Sequence, residues 1–203
     1  MSRNEQKQKT RQRIVDAAGR GFRKGGFGGI GVDGLAKEAG VTSGGFYVHF
    51  DSKTDAFREA VAQGMKDLKI GVLHFQTEHG RNWWPEFVRF YLGYKRNCDL
   101  SDSCTLQSLS PEVARSDAVA QTTFETGLLD VAQAVVDGPS SPKVPRSLAS
   151  ALAALASLVG AVTLARAVNS TEVGNQIAAS TELVLLGAKA KPPSATPTNS
   201  EDE

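Results

Sequence analysis

Residues 31–50, G-V-D-G-L-A-K-E-A-G-V-T-S-G-G-F-Y-V-H-F, constrain the fold of this chain more than any other stretch. Val32, Leu35, Ala36 and Ala39 stand at i, i+3, i+4 and i+7, one apolar face of a helix. Gly40 offers the permissive backbone at which helices end. Val41 plugs the angle before a second helix, which Thr42 or Ser43 can cap. The pattern predicts two short helices joined by a tight turn, with Phe46 and Phe50 on one side of the second. That second helix carries Gly44 and Gly45 near its start, and each forgoes about 1 kcal/mol of helix stability relative to Ala. Something other than helix stability is being served. A bare end lets backbone and hydroxyls approach another surface closely, as a helix entering a DNA groove must.

Charge supplies a second constraint. The 203 residues sum to only +1, so the bulk composition does not announce nucleic acid. The distribution does. Residues 1–24 carry eight Lys and Arg side chains against Glu5 and Asp16, a net +6, and the remainder is acidic. A basic arm beside a helix pair is the electrostatic footprint of phosphate binding. No uninterrupted apolar run of membrane-spanning length occurs, and the charged start lacks the apolar core of a secretory leader. Cys98 and Cys104 make no disulfide scaffold, so a cytoplasmic chain with no membrane partner is expected. Catalysis is not expected. The only histidines are His49, His74 and His79, with no zinc-ligand spacing. There is neither a nucleophile elbow nor a phosphate loop. No metal or cofactor is anticipated.

The rest of the chain reads as helices. The first is expected from about Lys7 to Lys24, stopped by Gly25-Gly26. Ser52 with Asp55 caps a long helix reaching about His79, which at 1.5 Å per residue spans about 40 Å. Asn82 and Pro85 open the next, whose Phe87, Phe90, Tyr91 and Tyr94 form the densest aromatic cluster. Core packing and a ligand-pocket wall are both open readings of that cluster. A short helix is expected near Pro111, then one over Asp117–Val136, and two very apolar helices over about Pro145–Ala167 and Glu172–Lys189. Helices apolar over much of their circumference need cover on more than one side.

Residues from about Lys9 to Gly64 resemble the DNA-binding domain of TetR-family transcriptional regulators. The resemblance is carried by Ile14-Val15-x-Ala17-Ala18, Phe22, Gly25-x-x-Gly28, the helix pair, and Lys53 with Phe57. Its most specific part is F-Y-x-H-F followed by a Ser-Lys pair. It implies an all-α fold: a three-helix DNA-binding head over 7–64, with the helix-turn-helix at about 31–50, and a helical ligand-binding and dimerisation domain over 65–190. The tail from 191 to 203 has the composition of disorder. The resemblance places Tyr47, His49 and Lys53 against phosphates, helped by Thr42, and leaves Ser43, Gly44, Gly45 and Val48 as base readers. Gly45 departs from the family pattern, where Thr is common, so the operator sequence does not carry over.

The same resemblance implies a homodimer through the last two helices on a near-palindromic double-stranded operator. The regulator expected is a repressor released by a small apolar or aromatic ligand. Phe87, Phe90, Tyr91, Tyr94, Leu109, Phe124 and Leu128 are the candidate ligand contacts. Cys104 reads as a small buried residue, or else as a thiol that senses oxidants or electrophiles. The residues also leave open a DNA-binding protein without a ligand and a purely helical dimerisation module.

Overall fold

The computed structural model describes residues 2–187, and all of their regular structure is helical. Helix α1 (Arg3–Gly25) opens with a capping box in which Ser2 and Glu5 satisfy each other's backbone N–H. This cap starts the helix four residues before the expected Lys7. Helix α2 (Val32–Ala39) and helix α3 (Ser43–Tyr47) form the expected pair. Between them Gly40 adopts φ 66°, a left-handed conformation that a Cβ would strain. Ile14, Phe22, Leu35, Phe46 and Phe57 are sealed from solvent between α1, α2, α3 and α4 (Lys53–His79).

Helix α4 serves both halves of the molecule. Its first turns pack on α1, and its later turns run against α7 (Ala118–Val136) and α5 (Trp83–Phe90). Two glycines permit the tight crossings. A Cβ at Gly64 would lie 2.0 Å from Thr105 Oγ1, and one at Gly127 would lie 2.6 Å from Met65 Cβ. Thr105 opens α6 (Thr105–Ala114), so Gly64 sets how closely α4 and α6 approach.

Two boundaries differ from the sequence expectation. Pro111, read as the start of a helix, lies inside α6. Proline at the first turn is the common case, but here the helix begins six residues earlier and forgoes one backbone bond. After α5 the chain continues through a π-turn over Tyr91–Lys95, which no hydrophobic period of 3.6 reveals. The extra residue rotates the following side chains, so Tyr91 is 1% exposed and Tyr94 54%. Asn82 stands at the cap position of α5 as expected, but its side chain gives its amide to Glu86 and makes no capping bond.

Helices α8 (Leu148–Ala167) and α9 (Thr171–Leu186) close the chain and pack on each other. The expected end of the last helix at Lys189, like the 191–203 tail, lies outside the described residues. By length and composition α8 could cross a membrane, with a mean hydropathy of 2.1 over its best window. A search for uninterrupted apolar runs misses it because Ser150, Ser157 and Thr163 break the run without adding charge. Only a third of that window is buried.

Gly64→Ala forces Cβ into Thr105 and should lower stability by about 1–3 kcal/mol as an overpacked contact. Urea unfolding followed by circular dichroism would register this as a lower midpoint. An unchanged midpoint would mean that α4 and α6 are free to separate.

Candidate nucleic-acid interface and ligand cavity

Helix α3 is held from beneath. Phe46 and Phe50 are buried, and their rings lie 5.5 Å apart. Thr42 caps the helix, its Oγ1 accepting the Gly45 N–H at 3.0 Å. This arrangement turns Tyr47 and Val48 outward, 56% and 66% exposed, with Thr42 and Gly44 exposed beside them. A Cβ at Gly44 would meet nothing nearer than the Thr42 hydroxyl at 3.9 Å. The fold therefore does not require glycine at that position, and the space above it is open. A Cβ at Gly45 would be tighter, at 3.3 Å from the same hydroxyl.

Not all the sequence candidates present free polar groups. The Ser43 hydroxyl donates to the Asp33 carboxylate. The Lys53 ammonium donates to the Ile30 carbonyl at 2.9 Å and sits 4.3 Å from the Phe27 ring centre. Two of its three N–H groups remain for another partner. His49 is half-buried, and its Nδ1 has no hydrogen-bond partner. Burial of the ring, then the nearby charges of Lys7 and Arg11, pull its imidazolium below the usual histidine range.

Periodicity gave no sign of the residues that aim this surface. Arg13 of α1 donates through one terminal nitrogen to the carbonyls of Ala39 and Gly40, tying the turn between α2 and α3 to the first helix. Arg11 forms a two-pronged ion pair with Glu59 and lies 4.3 Å over the Phe50 ring. Both are positioning residues, and an arginine in a basic stretch carries no sequence mark of such a role.

Behind the head, between α4, the α5 π-turn and the loop before α6, lies a cavity of about 490 Å3, a size typical of small-molecule sites. Four of the expected contacts line it: Phe87, Phe90, Tyr91 and Tyr94. Phe90 and Tyr94 stack at 5.2 Å, and Phe75 of α4 meets Phe90 at 5.1 Å. The other three do not line it. Leu109 is wholly buried in the core, and Phe124 and Leu128 of α7 pack against that core elsewhere. Their helical spacing marks them as apolar, but it cannot say which of several apolar faces borders a void. Cys104 is in the cavity wall, 7% exposed. Arg23, which belongs to α1, lines the cavity as well.

Residues 14–60 match the family model of bacterial regulatory proteins of the tetR family. The likeness to the tetR family lies in this stretch, which holds α2 and α3. Over 71 residues the chain is 44% identical to the HTH-type transcriptional regulator AcrR of Shigella flexneri, a match covering 35% of this chain and 32% of that protein. The chain thus aligns over about a third of the curated relative's length. Among solved structures, a TetR-family transcriptional regulator from Agrobacterium tumefaciens superposes with a TM-score of 0.69 at 17% identity, over 89% of this chain and 99% of that one. NemR of E. coli in its reduced form gives 0.66 at 18%, over 85% and 95%. At such identities these two likenesses speak for the shared fold alone.

In an NMR pH titration His49 should have a midpoint below the ordinary histidine value of about 6.5, and Arg11→Gln should move it part of the way back. Because the folded chain resists this proton, the unfolded chain takes it first as pH falls through that value, and stability drops. A midpoint at or above the ordinary value would contradict the placement of the ring.

Proposed function

We propose that this chain is a sequence-specific DNA-binding transcriptional regulator that acts as a dimer, a repressor that leaves its operator when a small ligand enters the cavity behind α4. The observation that carries the reading is the outward edge of α3, where Tyr47 and Val48 stand exposed over a sealed Phe46–Phe50 base. Exposed aromatic and branched side chains on a rigid support, next to open space at Gly44, suit a duplex groove better than water. Tyr47, His49, Lys53 and Thr42 are assigned to phosphates. Val48, Ser43, Gly44 and Gly45 are assigned to base edges, since phosphate contacts position a protein while base edges carry sequence. Lys7 of α1 lies near enough to act on the charge of His49, and Arg3, Lys7 and Lys9 make no ion pair with any described residue.

The ligand would be small and apolar or aromatic. It can lower DNA affinity only by binding the released form more tightly, with a coupling of about 1–3 kcal/mol. The dimer reading rests on the open apolar face of the last two helices. Leu164 is 59% exposed, Leu183 46% and Val184 79%, and a second copy of the chain is the cover a symmetric regulator would use.

The decisive test is a titration of the purified protein against its own upstream DNA at two salt concentrations. Binding should be site-specific and should be lost in the Tyr47→Ala, His49→Ala double variant. In Lys7→Gln the slope of log affinity against log salt should shrink by about one. A slope near zero in the unaltered chain would count against phosphate binding altogether.

Val184→Glu places a charge on the proposed dimer face and should convert the dimer to monomer in analytical ultracentrifugation. A dimer that persists in this variant would move the interface elsewhere.

A further inference from the structure

We propose that the cavity selects a planar aromatic anion, and that Arg23 of α1 is the residue that takes its negative group. The inference rests on the ligand-responsive reading above and deepens it by naming the ligand's chemistry. Aromatic selection follows from the wall, where Phe75, Phe90 and Tyr94 present ring faces that a flat molecule can extend. Selection for an anion follows from how the polar groups are spent. Arg23 donates its Nε to the Ser101 carbonyl at 2.8 Å, and no terminal nitrogen of its fork lies within 4 Å of a described carboxylate. Lys95, on the same cavity, gives its ammonium to the Asp102 carbonyl at 2.6 Å and is likewise without an ion pair to a described residue. Two cations thus border one void without an ion pair to a described residue, Lys95 lying in addition 5.5 Å from the Tyr94 ring centre.

The Tyr91 hydroxyl adds a third donor. Its residue is 1% exposed, and the oxygen lies beside the Cys104 thiol with no well-formed hydrogen bond. A polar atom buried without a partner is costly, and a ligand oxygen would relieve that cost. Burial pulls the Arg23 guanidinium down from its usual range, while Cys104, Asp102 and Asp67 work against that pull from a distance. A guanidinium partly withdrawn from water and without an ion pair is a place for a carboxylate, sulfonate or phenolate oxygen, which its planar fork can grip through two parallel bonds. Asp67 and Asp102 also line the cavity and would favour a cation. Asp67, however, already accepts the Gln63 amide at 2.7 Å.

The placement of Arg23 gives this selectivity a consequence. It is the single cavity-lining side chain from α1 among the described residues, so the ligand's charge would be read directly by the helix that carries Arg13 and the turn it holds. An anion gripping the free end of the fork and drawing the guanidinium toward the void would loosen the bond from its Nε to the Ser101 carbonyl.

The test compares three fluorescent probes: 8-anilino-1-naphthalenesulfonate, its uncharged twin N-phenyl-1-naphthylamine, and the aromatic cation thioflavin T. In Arg23→Met the affinity for the sulfonate should fall about tenfold, as expected for a charge-assisted bond. The uncharged twin should be unchanged and thioflavin T should bind more tightly, because Asp67 and Asp102 are then opposed by Lys95 alone. Arg23→Lys keeps the charge without the fork and should recover part of the sulfonate affinity, which a merely misfolded cavity would not. Gly71→Leu should abolish sulfonate and twin binding together, because Gly71 lines the cavity and a Cβ there meets open space. Sulfonate binding that survives Gly71→Leu, or that falls in step with the uncharged twin in Arg23→Met, would overturn the proposal. No arm involves DNA, so failure here would leave the operator reading standing, and loss of operator binding would leave the probe results intact.

Discussion

One uninterrupted helix has to satisfy two cores at once, and the rest of the structure follows from how α4 does so. At its start Phe57 meets the edges of Phe22 and Phe27, each at 5.3 Å between ring centres, fixing the helix in the head. Near its end Phe75 meets Phe87 and Phe90 at 5.6 and 5.1 Å, fixing it in the body. Between these anchors the helix surface is dominated by small contacts, at Gly64 against Thr105 and at Gly127 against Met65. The helix is thus gripped by aromatic clusters at both ends and crossed closely in the middle.

The polar ties between head and body are weaker than either anchor. Arg58 bridges Asp55 at its own helix start to Asp117, the cap of α7, at 2.8 and 3.0 Å. These groups are about one-third exposed, and a pair of this kind contributes about 0–1 kcal/mol. Arg23 adds its bond to the Ser101 carbonyl, and Glu112 approaches the Gly26 backbone. The sum is small beside the burial of Phe22, Phe46 and Phe57. The buried core nonetheless runs from head to body as one cluster, so a ligand with about 1–3 kcal/mol of coupling would have to act through that packing as well as through these polar ties.

The helices themselves were legible in the sequence because each depends on local periodicity and caps. Ser52 with Asp55 and Gly40 mark ends that the structure keeps. What was not legible needs either an extra residue or a partner distant in sequence. The π-turn at Tyr91–Lys95 leaves the apolar pattern intact and only changes which way it faces. Leu109, Phe124 and Leu128 have the same spacing as residues that do border the cavity, and only the packing of α6 and α7 into the core decides that they do not. On the outward side of α3 the exposure of Tyr47 and Val48 agrees with the positions the resemblance implied, while the internal ties of Ser43 and Lys53 could not be read. Their internal partners, Asp33 and Ile30, become neighbours only once α2 and the loop before it have folded.

The basic arm shows the same limit in electrostatic form. Its count of charges suggests one continuous phosphate-binding stripe, yet three of its arginines are spent inside the protein. Arg11 is bound to Glu59 and Phe50, Arg13 to the turn carbonyls, and Arg23 to Ser101 beside the cavity. Each lies on the side of α1 that faces the folded chain, whereas Arg3, Lys7 and Lys9 lie on its exposed part. A single helix thereby divides its charges between two tasks. The exposed set can meet a polyanion outside, and the inward set fixes the angle at which α3 is presented to it. Because Arg23 belongs to the inward set and also borders the cavity, the charge that positions the head is within reach of whatever enters the body.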